Sequence, residues 1–248
     1  MISEALRNPK SLFDVTGKVA LITGASGAFG RACALALGAL GARLVLVSGS
    51  ADELKGVAEE AGEIGAEAVT VVRRPDTIED ARAMVAAALD AFGGIDMLVI
   101  ASGLNKAGFI QNQSYEEWQG VMNANVRGPW LMAKAVGAYW IENEIKGKAL
   151  LMSSVRGRHG NVSGYTAYCT SKGATDALTR VLATEWAQYG ITVNAIAPTV
   201  FRSKLTAWMW SEDEVGQATR KRTLSRIPLG RLGEPEDLVG MAIYLLSP

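Results

Sequence analysis

The chain has 248 residues, 49% of them hydrophobic and 20% charged, and its formal net charge is zero. These values suit one α/β domain with a large core, and the zero net charge gives no support for nucleic-acid binding. The longest apolar stretch, residues 32–42, is too short to span a membrane, and the N-terminal residues lack the pattern of a secretory signal. With only Cys33 and Cys169, we expect no disulfide framework and a cytoplasmic location.

Six short apolar runs predict strands, and helical patterns separate them. The runs cover residues 19–23, 44–47, 68–72, 97–101, 149–152 and 192–196. Each is nearly continuous in hydrophobicity, which is typical of strands covered on both faces. Apolar residues at helical spacing predict helices over 31–40, 78–92, 174–186 and 236–246. The alternation predicts a doubly wound parallel sheet with helices on both faces, forming a single domain over residues 1–248.

A glycine-rich turn, residues 23–30 with the sequence TGASGAFG, joins the first predicted strand to the first predicted helix. Glycines in this context let backbone N–H groups approach a pyrophosphate at a helix N-terminus, where the helix dipole favours negative charge. A tight strand–helix turn without a ligand is the competing interpretation.

Tyr168 and Lys172 are four residues apart, so they share one face of a helix. A phenol with a pKa of about 10 is a poor acid–base group at neutral pH, whereas a nearby ammonium together with a positively charged cofactor ring lowers that pKa. A packed tyrosine beside a solvated lysine explains this short pattern equally well when it is taken alone. Combined with the glycine turn, the pair predicts acid–base chemistry beside a dinucleotide.

Together these motifs resemble the short-chain dehydrogenase/reductase family, from about Phe13 to the end of the chain. The local sequence is most similar to the family's branch of 3-oxoacyl-carrier-protein reductases and gluconate 5-dehydrogenases. The motif T-G-x-x-x-G-x-G matches residues 23–30, the active-site asparagine and serine match Asn125 and Ser154, and Y-x-x-x-K matches Tyr168 and Lys172. The resemblance implies a Rossmann-type fold and an NAD(P)(H)-dependent oxidoreductase that interconverts a secondary alcohol and a ketone.

The resemblance also implies a role for each matched residue. Tyr168 is the general acid–base, Lys172 lowers its pKa and binds the nicotinamide ribose, and Ser154 holds the substrate oxygen. Asn125 anchors a water that relays protons to Lys172, unless it only bends its helix near Gly128. The implied cofactor contacts are Gly24, Ser26, Gly27, Phe29, Gly30, Ser48, Arg74, Ala101, Ser102, Gly103, Tyr168, Lys172, Pro198 and Val200.

The adenine half of the predicted site departs from the family pattern. Ala28 replaces the middle glycine of the turn, and residues 100–103 (IASG) replace Asn-Asn-Ala-Gly and its strand-tying amides. Arg74 stands where an aspartate is expected, and Thr199 replaces a glycine. A weakly catalytic nucleotide-binding sensor or scaffold is therefore the alternative function, although the intact catalytic set favours an enzyme.

Cofactor preference depends on the end of the second predicted strand, which reads Val47-Ser48-Gly49-Ser50. An acid there would bind the 2′-hydroxyl of NAD, and neither an acid nor an arginine is present. Small hydroxyl residues leave room for a 2′-phosphate, which Arg73 or Arg74 could approach from the neighbouring strand. The sequence thus favours NADP(H).

Polar residues lie on stretches that the family places near the substrate. They are Asn105, Lys106, Arg156, Arg158, His159 and Asn161. These groups suit a small polar or anionic alcohol or ketone, although solvated surface cations are the alternative. No metal site is predicted.

Three further segments have predicted roles. Residues 1–14 form an N-terminal extension, and residues 199–225, which include Trp208, Met209 and Trp210, form a substrate lid or a fixed partner contact. In the family, the helices carrying Asn125 and Tyr168 pair between subunits, which implies a homotetramer or homodimer. No further strand follows residue 246, so an exposed sheet edge is expected.

Overall fold

Six parallel strands form the centre of the molecule. The computed structural model describes residues 3–248, apart from the side chains of residues 4, 5, 205 and 208. Its strands are β1 (Val19–Thr23), β2 (Arg43–Ser48), β3 (Ala68–Val72), β4 (Met97–Ile100), β5 (Lys148–Met152) and β6 (Thr192–Ile196). They form one sheet in the order β3-β2-β1-β4-β5-β6. Ligands of such sheets bind at the carboxyl ends of the strands where the order reverses, here between β1 and β4.

Helices cover both faces of this sheet, as predicted. They are α1 (Glu4–Arg7), α2 (Ala28–Ala39), α3 (Ala51–Glu63), α4 (Ile78–Phe92), α5 (Tyr115–Met122), α6 (Gly128–Glu142), α7 (Thr166–Trp186), α8 (Glu214–Leu224) and α9 (Val239–Leu246). Short 3-10 segments cover Pro9–Phe13, Val155–Gly157, Ala187–Tyr189, Lys204–Trp210 and Pro235–Leu238, and a π-helical turn covers Asn123–Arg127. Within the described residues, no helix has both the length and the apolar character needed to cross a membrane.

Local sequence explains why the predicted helix over 78–92 has the observed limits. Thr77 and Asp80 form a capping box before α4, and Gly93 closes the helix in the left-handed conformation. Helix α2 begins at Ala28, earlier than predicted, because Gly27 already serves as its N-cap. Helix α7 begins at Thr166, which places the predicted acid–base residues in its first two turns.

Side chains alternate along the strands into two cores, one on each face of the sheet. Leu21 packs with α4, α6 and α7, whereas its neighbour Ile22 packs with α2, α3 and α9. Burial of each large apolar side chain contributes about 1.5–3 kcal/mol. The prediction of strands covered on both faces was wrong for β3, where Val72 is 55% exposed, because β3 is the outermost strand. β6 forms the other edge.

The segment after β6 is more regular than its sequence predicted. Lys204–Trp210 and α8 are helical, and Met209 is 4% exposed. Trp210 packs between two guanidinium groups, with its ring centroid 4.0 Å from Arg202 and 5.8 Å from Arg220. The side chain of Trp208 lies outside the described part of the structure. The charged residues Arg202 and Arg220 in this segment therefore pack on Trp210 through cation–π contacts.

Candidate active site

The predicted catalytic residues meet at the carboxyl ends of β5 and β6. Ser154 lies two residues after the end of β5, and the backbone N–H of Val155 donates to the carbonyl oxygen of Pro198 at 3.0 Å. That hydrogen bond joins the two strand ends. Ser154 Oγ lies 3.4 Å from the same carbonyl oxygen and accepts from the N–H of Arg156 at 3.2 Å. The serine hydroxyl is therefore fixed on a rigid part of the fold.

Tyr168 and Lys172 face this serine from helix α7. The Ser154 hydroxyl lies beside the Tyr168 phenol, and Lys172 Nζ lies 5.7 Å from the centroid of the Tyr168 ring. Lys172 is 5% exposed and donates to the carbonyl oxygen of Met152 at 2.7 Å. The structure thus brings the serine, tyrosine and lysine predicted from the sequence into one cluster.

The pKa of Tyr168 differs from the sequence-based expectation. Burial raises the pKa of the phenol above its ordinary value, and the hydrogen bond with Ser154 offsets only part of that effect. The expectation that the Lys172 ammonium lowers the phenol pKa does not hold for the chain by itself. Burial lowers the pKa of Lys172 to about 8, and Asp176 opposes that shift. For both Tyr168 and Lys172, the loss of solvation on burial is the largest cause of the pKa shift.

Asp176 was not predicted, although its spacing of one helical turn from Lys172 is a signal that could have found it. The carboxylate is 9% exposed and accepts a hydrogen bond from Ser153 Oγ at 2.5 Å. Arg158 Nε lies 3.7 Å from its other oxygen. A Cβ at Gly157 would lie 2.7 Å from that oxygen, so the chain packs directly on the carboxylate. Asp176 supplies negative charge close to the buried lysine.

Asn125 lies in the π-helical turn between α5 and α6 and is 1% exposed. Its amide nitrogen donates to the carbonyl oxygen of Leu104 at 2.8 Å and to Ser171 Oγ at 2.9 Å, while its oxygen accepts from the N–H of Leu104 at 2.7 Å. A Cβ at Gly103 would lie 3.4 Å from Asn125 Oδ1 and 3.8 Å from Lys172 Nζ. The asparagine therefore ties the segment after β4 to α7, with its oxygen and the lysine facing the same glycine.

The glycine turn packs closely against the end of β4. Gly24 has φ +68°, and a Cβ there would lie 2.5 Å from the backbone nitrogen of Ser102. Ala28 is tolerated because it occupies the first turn of α2, where an alanine fits. The N-cap residue of this helix, Gly27, provides no side-chain hydrogen bond. The N–H groups of that turn are thus free to bind a pyrophosphate. Thr23 and Ser102 are joined by a hydroxyl–hydroxyl hydrogen bond of 3.3 Å, which replaces part of the missing amide contacts.

The end of β2 carries more charge than its sequence predicted. Ser26 Oγ and Ser48 Oγ are 2.7 Å apart, and Arg74 packs so closely that a Cβ at Gly49 would lie 2.5 Å from its Nε. Arg73 instead binds Asp80 at 2.6 Å. The Glu53 carboxylate, from the first turn of α3, also lies near this strand end, and Lys204 and then the Ser26 hydroxyl lower its pKa. Arg74 reaches this strand end from the neighbouring strand, as predicted, whereas the carboxylate of Glu53 was not anticipated from the sequence.

The polar groups at the predicted substrate rim are largely engaged with the protein. Arg158 pairs with Asp176, Lys106 Nζ lies 3.4 Å from Glu117, and Arg156 donates to the carbonyl oxygen of Gly160 at 2.7 Å. Asn161 caps its own loop by accepting from the N–H of Ser163, and His159 is exposed. By contrast, Asn105 Oδ1 is buried without a hydrogen-bond partner among the described residues. Asn105 follows Leu104, whose backbone is hydrogen-bonded to Asn125.

The segment that begins after Pro198 contacts the glycine turn directly. The Phe201 and Phe29 rings meet edge to face at 5.4 Å between centroids. Arg202 pairs with Glu234 at 2.9 Å, and Lys204 Nζ lies 2.5 Å from Glu53. Each of these two cations therefore has a carboxylate partner in the free protein.

Comparisons with known proteins identify the same family that the sequence motifs resemble. Residues 18–214 match the family model described as short chain dehydrogenase. An uncharacterized oxidoreductase of Mycobacterium tuberculosis (strain ATCC 25618 / H37Rv) is 49% identical over 235 residues, 95% of this chain and 86% of that protein. A 3-oxoacyl-[acyl-carrier-protein] reductase of Vibrio cholerae is 31% identical, with 95% and 92% coverage.

A solved structure from Agrobacterium tumefaciens has the same fold. It contains bound NADP, is proposed to be a 2-deoxy-D-gluconate 3-dehydrogenase, and is 29% identical with a TM-score of 0.86, covering 95% of this chain and 91% of that one. The chain therefore belongs to the short-chain dehydrogenase/reductase family. Within that class it is an NAD(P)-dependent oxidoreductase, and the family assignment made from its motifs is confirmed.

Proposed function

We propose that the protein interconverts a secondary alcohol and a ketone, with Tyr168 as the general acid–base. The cluster in which Ser154 binds the phenol of Tyr168 while Lys172 lies beside its ring supports this proposal. A dinucleotide fits the site, because the first turn of α2 has no side-chain cap and its backbone N–H groups can bind the pyrophosphate. When bound, the nicotinamide supplies or accepts the hydride.

The chain's own residues then manage the proton. In the direction of ketone reduction, Tyr168 donates a proton to the carbonyl oxygen, and its raised pKa keeps the phenol protonated beforehand. Ser154 stabilises the negative charge that develops on that oxygen. Lys172 and Asn125 Oδ1 face the same side of Gly103, which suits a relay that returns a proton from solvent to the phenol.

A preference for NADP(H) follows from the surroundings of Ser48. Arg74 lies across Gly49, where its guanidinium can pair with a 2′-phosphate. Glu53 acts in the opposite direction, since a carboxylate repels a phosphate and accepts a hydrogen bond from a 2′-hydroxyl. We expect Arg74 to dominate, because Glu53 already has Lys204 as its partner.

The substrate is proposed to be a small polar alcohol or ketone. The buried Oδ1 of Asn105 lacks a donor within the described structure, and an unsatisfied buried acceptor costs about 1–3 kcal/mol unless a ligand supplies one. A substrate hydroxyl group provides such a donor. Since the rim cations already have partners, a hydroxylated substrate is favoured over an anionic one. A sensor or scaffold role has less support, because all four catalytic residues are present.

A panel of hydroxylated and apolar ketones, assayed with NADH and NADPH in parallel, tests this proposal. We expect turnover with at least one ketone, faster with NADPH. The Arg74→Gln variant should raise the KM for NADPH about tenfold or more and leave that for NADH nearly unchanged. Arg73→Gln, on the neighbouring residue but paired with Asp80, is the matched control. No oxidation of either cofactor by any ketone would contradict the proposed function.

A further inference from the structure

A chain of polar contacts connects the lid segment to the end of β2. Ser48 Oγ is 2.7 Å from Ser26 Oγ, and Glu53 Oε1 is 2.5 Å from Lys204 Nζ. Lys204 and, to a smaller extent, the Ser26 hydroxyl lower the pKa of Glu53, so its carboxylate lies near both groups. Lys204 and Glu53 are 151 residues apart in the sequence. Residues 199–225, which the sequence predicts to be a substrate lid or a fixed partner contact, thus also reach the opposite end of the dinucleotide site.

Glu53 places a negative charge beside the subsite for the 2′ group. Its carboxylate lies near Ser26, whose hydroxyl helps Lys204 to lower the pKa of Glu53, and Ser26 is hydrogen-bonded to Ser48. In dinucleotide-binding folds, an acid at this strand end binds the 2′-hydroxyl, and it disfavours a 2′-phosphate by charge repulsion. Taken alone, Glu53 therefore favours NAD(H), against the effect of Arg74.

We propose that Lys204 is a cofactor-specificity residue that acts from the lid segment: by pairing with Glu53, it removes the repulsion that this carboxylate exerts on a 2′-phosphate. The proposal rests on the dinucleotide site proposed above. It assigns a charge-balancing role to Lys204, whose side chain is 77% exposed, without requiring contact between the lysine and the cofactor. The 3-10 helix that Lys204 begins is anchored by the Phe201–Phe29 contact, which keeps the lysine near Glu53.

The same pairing makes cofactor preference depend on the position of the lid segment. When Lys204 lies against Glu53, the subsite carries one carboxylate balanced by one ammonium, with Arg74 as an additional cation. When the segment moves away, Glu53 is left without this partner, and the subsite becomes less favourable for a phosphate. Because both side chains are exposed to solvent, the effect is modest and weakens as salt is added.

Calorimetric titration with adenosine 2′,5′-bisphosphate and with 5′-AMP tests the proposal without any hydride chemistry. We expect Lys204→Met to weaken the bisphosphate by about three- to tenfold in low salt and to change 5′-AMP affinity by less than about twofold. Glu53→Gln should strengthen bisphosphate binding. In the Glu53→Gln background, Lys204→Met should have no further effect. Lys55→Met is the matched control, since Lys55 lies on the same helix, is 76% exposed and pairs with Glu59.

Three results would overturn the proposal. In the first, Lys204→Met behaves like Lys55→Met. In the second, its effect persists in the Glu53→Gln background, which would indicate direct contact between Lys204 and the phosphate. In the third, wild-type protein binds neither nucleotide, which would remove the dinucleotide site itself. Binding of both nucleotides without turnover of any ketone would instead contradict only the proposed reaction, so the two failures are distinguishable.

Discussion

Ser153 Oγ donates a 2.5 Å hydrogen bond to Asp176, and this contact joins the end of β5 to helix α7. The residues on either side of Ser153 are Met152, whose carbonyl oxygen binds Lys172, and Ser154, which binds the Tyr168 phenol. One hydrogen bond therefore fixes the spacing between the strand and the helix that carry the acid–base residues.

The first prediction separates the charge of Asp176 from its hydrogen bond. Asp176→Asn can still accept from Ser153 but loses the negative charge, so the pKa of Lys172 falls below about 8. We expect the alkaline limb of the kcat/KM profile to move to lower pH, with little loss of stability. Arg158 is the other charged group facing this carboxylate, and Arg158→Gln provides the control. An unchanged pH profile for Asp176→Asn would contradict the coupling.

Asp176→Leu is expected to be less stable, because it also removes the acceptor for Ser153. A buried hydroxyl left without its partner costs about 1–3 kcal/mol, which urea unfolding can measure. The comparison with Asp176→Asn distinguishes the structural contribution of this residue from its electrostatic one.

The second prediction concerns the phenol. Tyr168→Phe should retain the fold and bind the dinucleotide, but its kcat should fall by about 10²–10⁴-fold. Absorbance titration of wild type against this variant should give a phenol pKa above 10 without ligand, because burial raises it. The pKa should fall when the oxidised, positively charged dinucleotide is added. Near-normal turnover by Tyr168→Phe would exclude the mechanism.

The third prediction concerns the effect of pH on stability. The folded-state pKa of Lys172 is about 8, below its ordinary value of 10.5, so the unfolded chain binds more protons between these two values. Stability of the wild type should therefore rise relative to Lys172→Met as the pH increases above about 8. Between pH 7 and 9.5 the difference amounts to roughly 2 kcal/mol. Parallel curves for the two proteins in urea would show that the lysine is not buried as described.

These predictions depend on features that the sequence reveals to different degrees. Periodicity located the strands and α4 well, because each element has one clear apolar pattern and α4 also has a capping box. The catalytic residues followed from the family motif. Glu53 was missed because its partner Lys204 is distant in sequence. Asp176 was missed although it is one helical turn from Lys172, because its contact with Ser153 appears only in the fold. The pKa of Tyr168 was misjudged because charge proximity is visible in a spacing of four residues, whereas burial is visible only in the fold.

The fourth prediction addresses the segment over residues 199–225. Hydrogen exchange around Met209 and Trp210 should slow when cofactor and a ketone are both present, because closure excludes water from the hydride path. Trp210 Nε1 is buried without a partner in the described structure, so this indole is expected to gain a hydrogen bond on closure. Full protection in the free protein would instead favour a fixed contact.

The fifth prediction concerns assembly. Trp130 on α6 and Val181 on α7 are 48% and 51% exposed, on the helices proposed to pair between subunits. Light scattering should give two or four times the chain mass of 26.3 kDa. Trp130→Glu and Val181→Glu together should reduce that mass. Val215→Glu, at a 70% exposed position on α8, is the control, and a wild-type mass of one chain would contradict the prediction.

The packing of Gly157 on Asp176 has a consequence for the evolution of substrate range. A Cβ at this glycine would collide with the carboxylate and would also lie 2.9 Å from the carbonyl oxygen of Lys172. The beginning of the substrate-side loop is therefore held by the catalytic helix and has no freedom to diversify. Gly160 has open space around it, and Val162 is 80% exposed. New specificities can arise in that outer half of the loop without disturbing the chemistry.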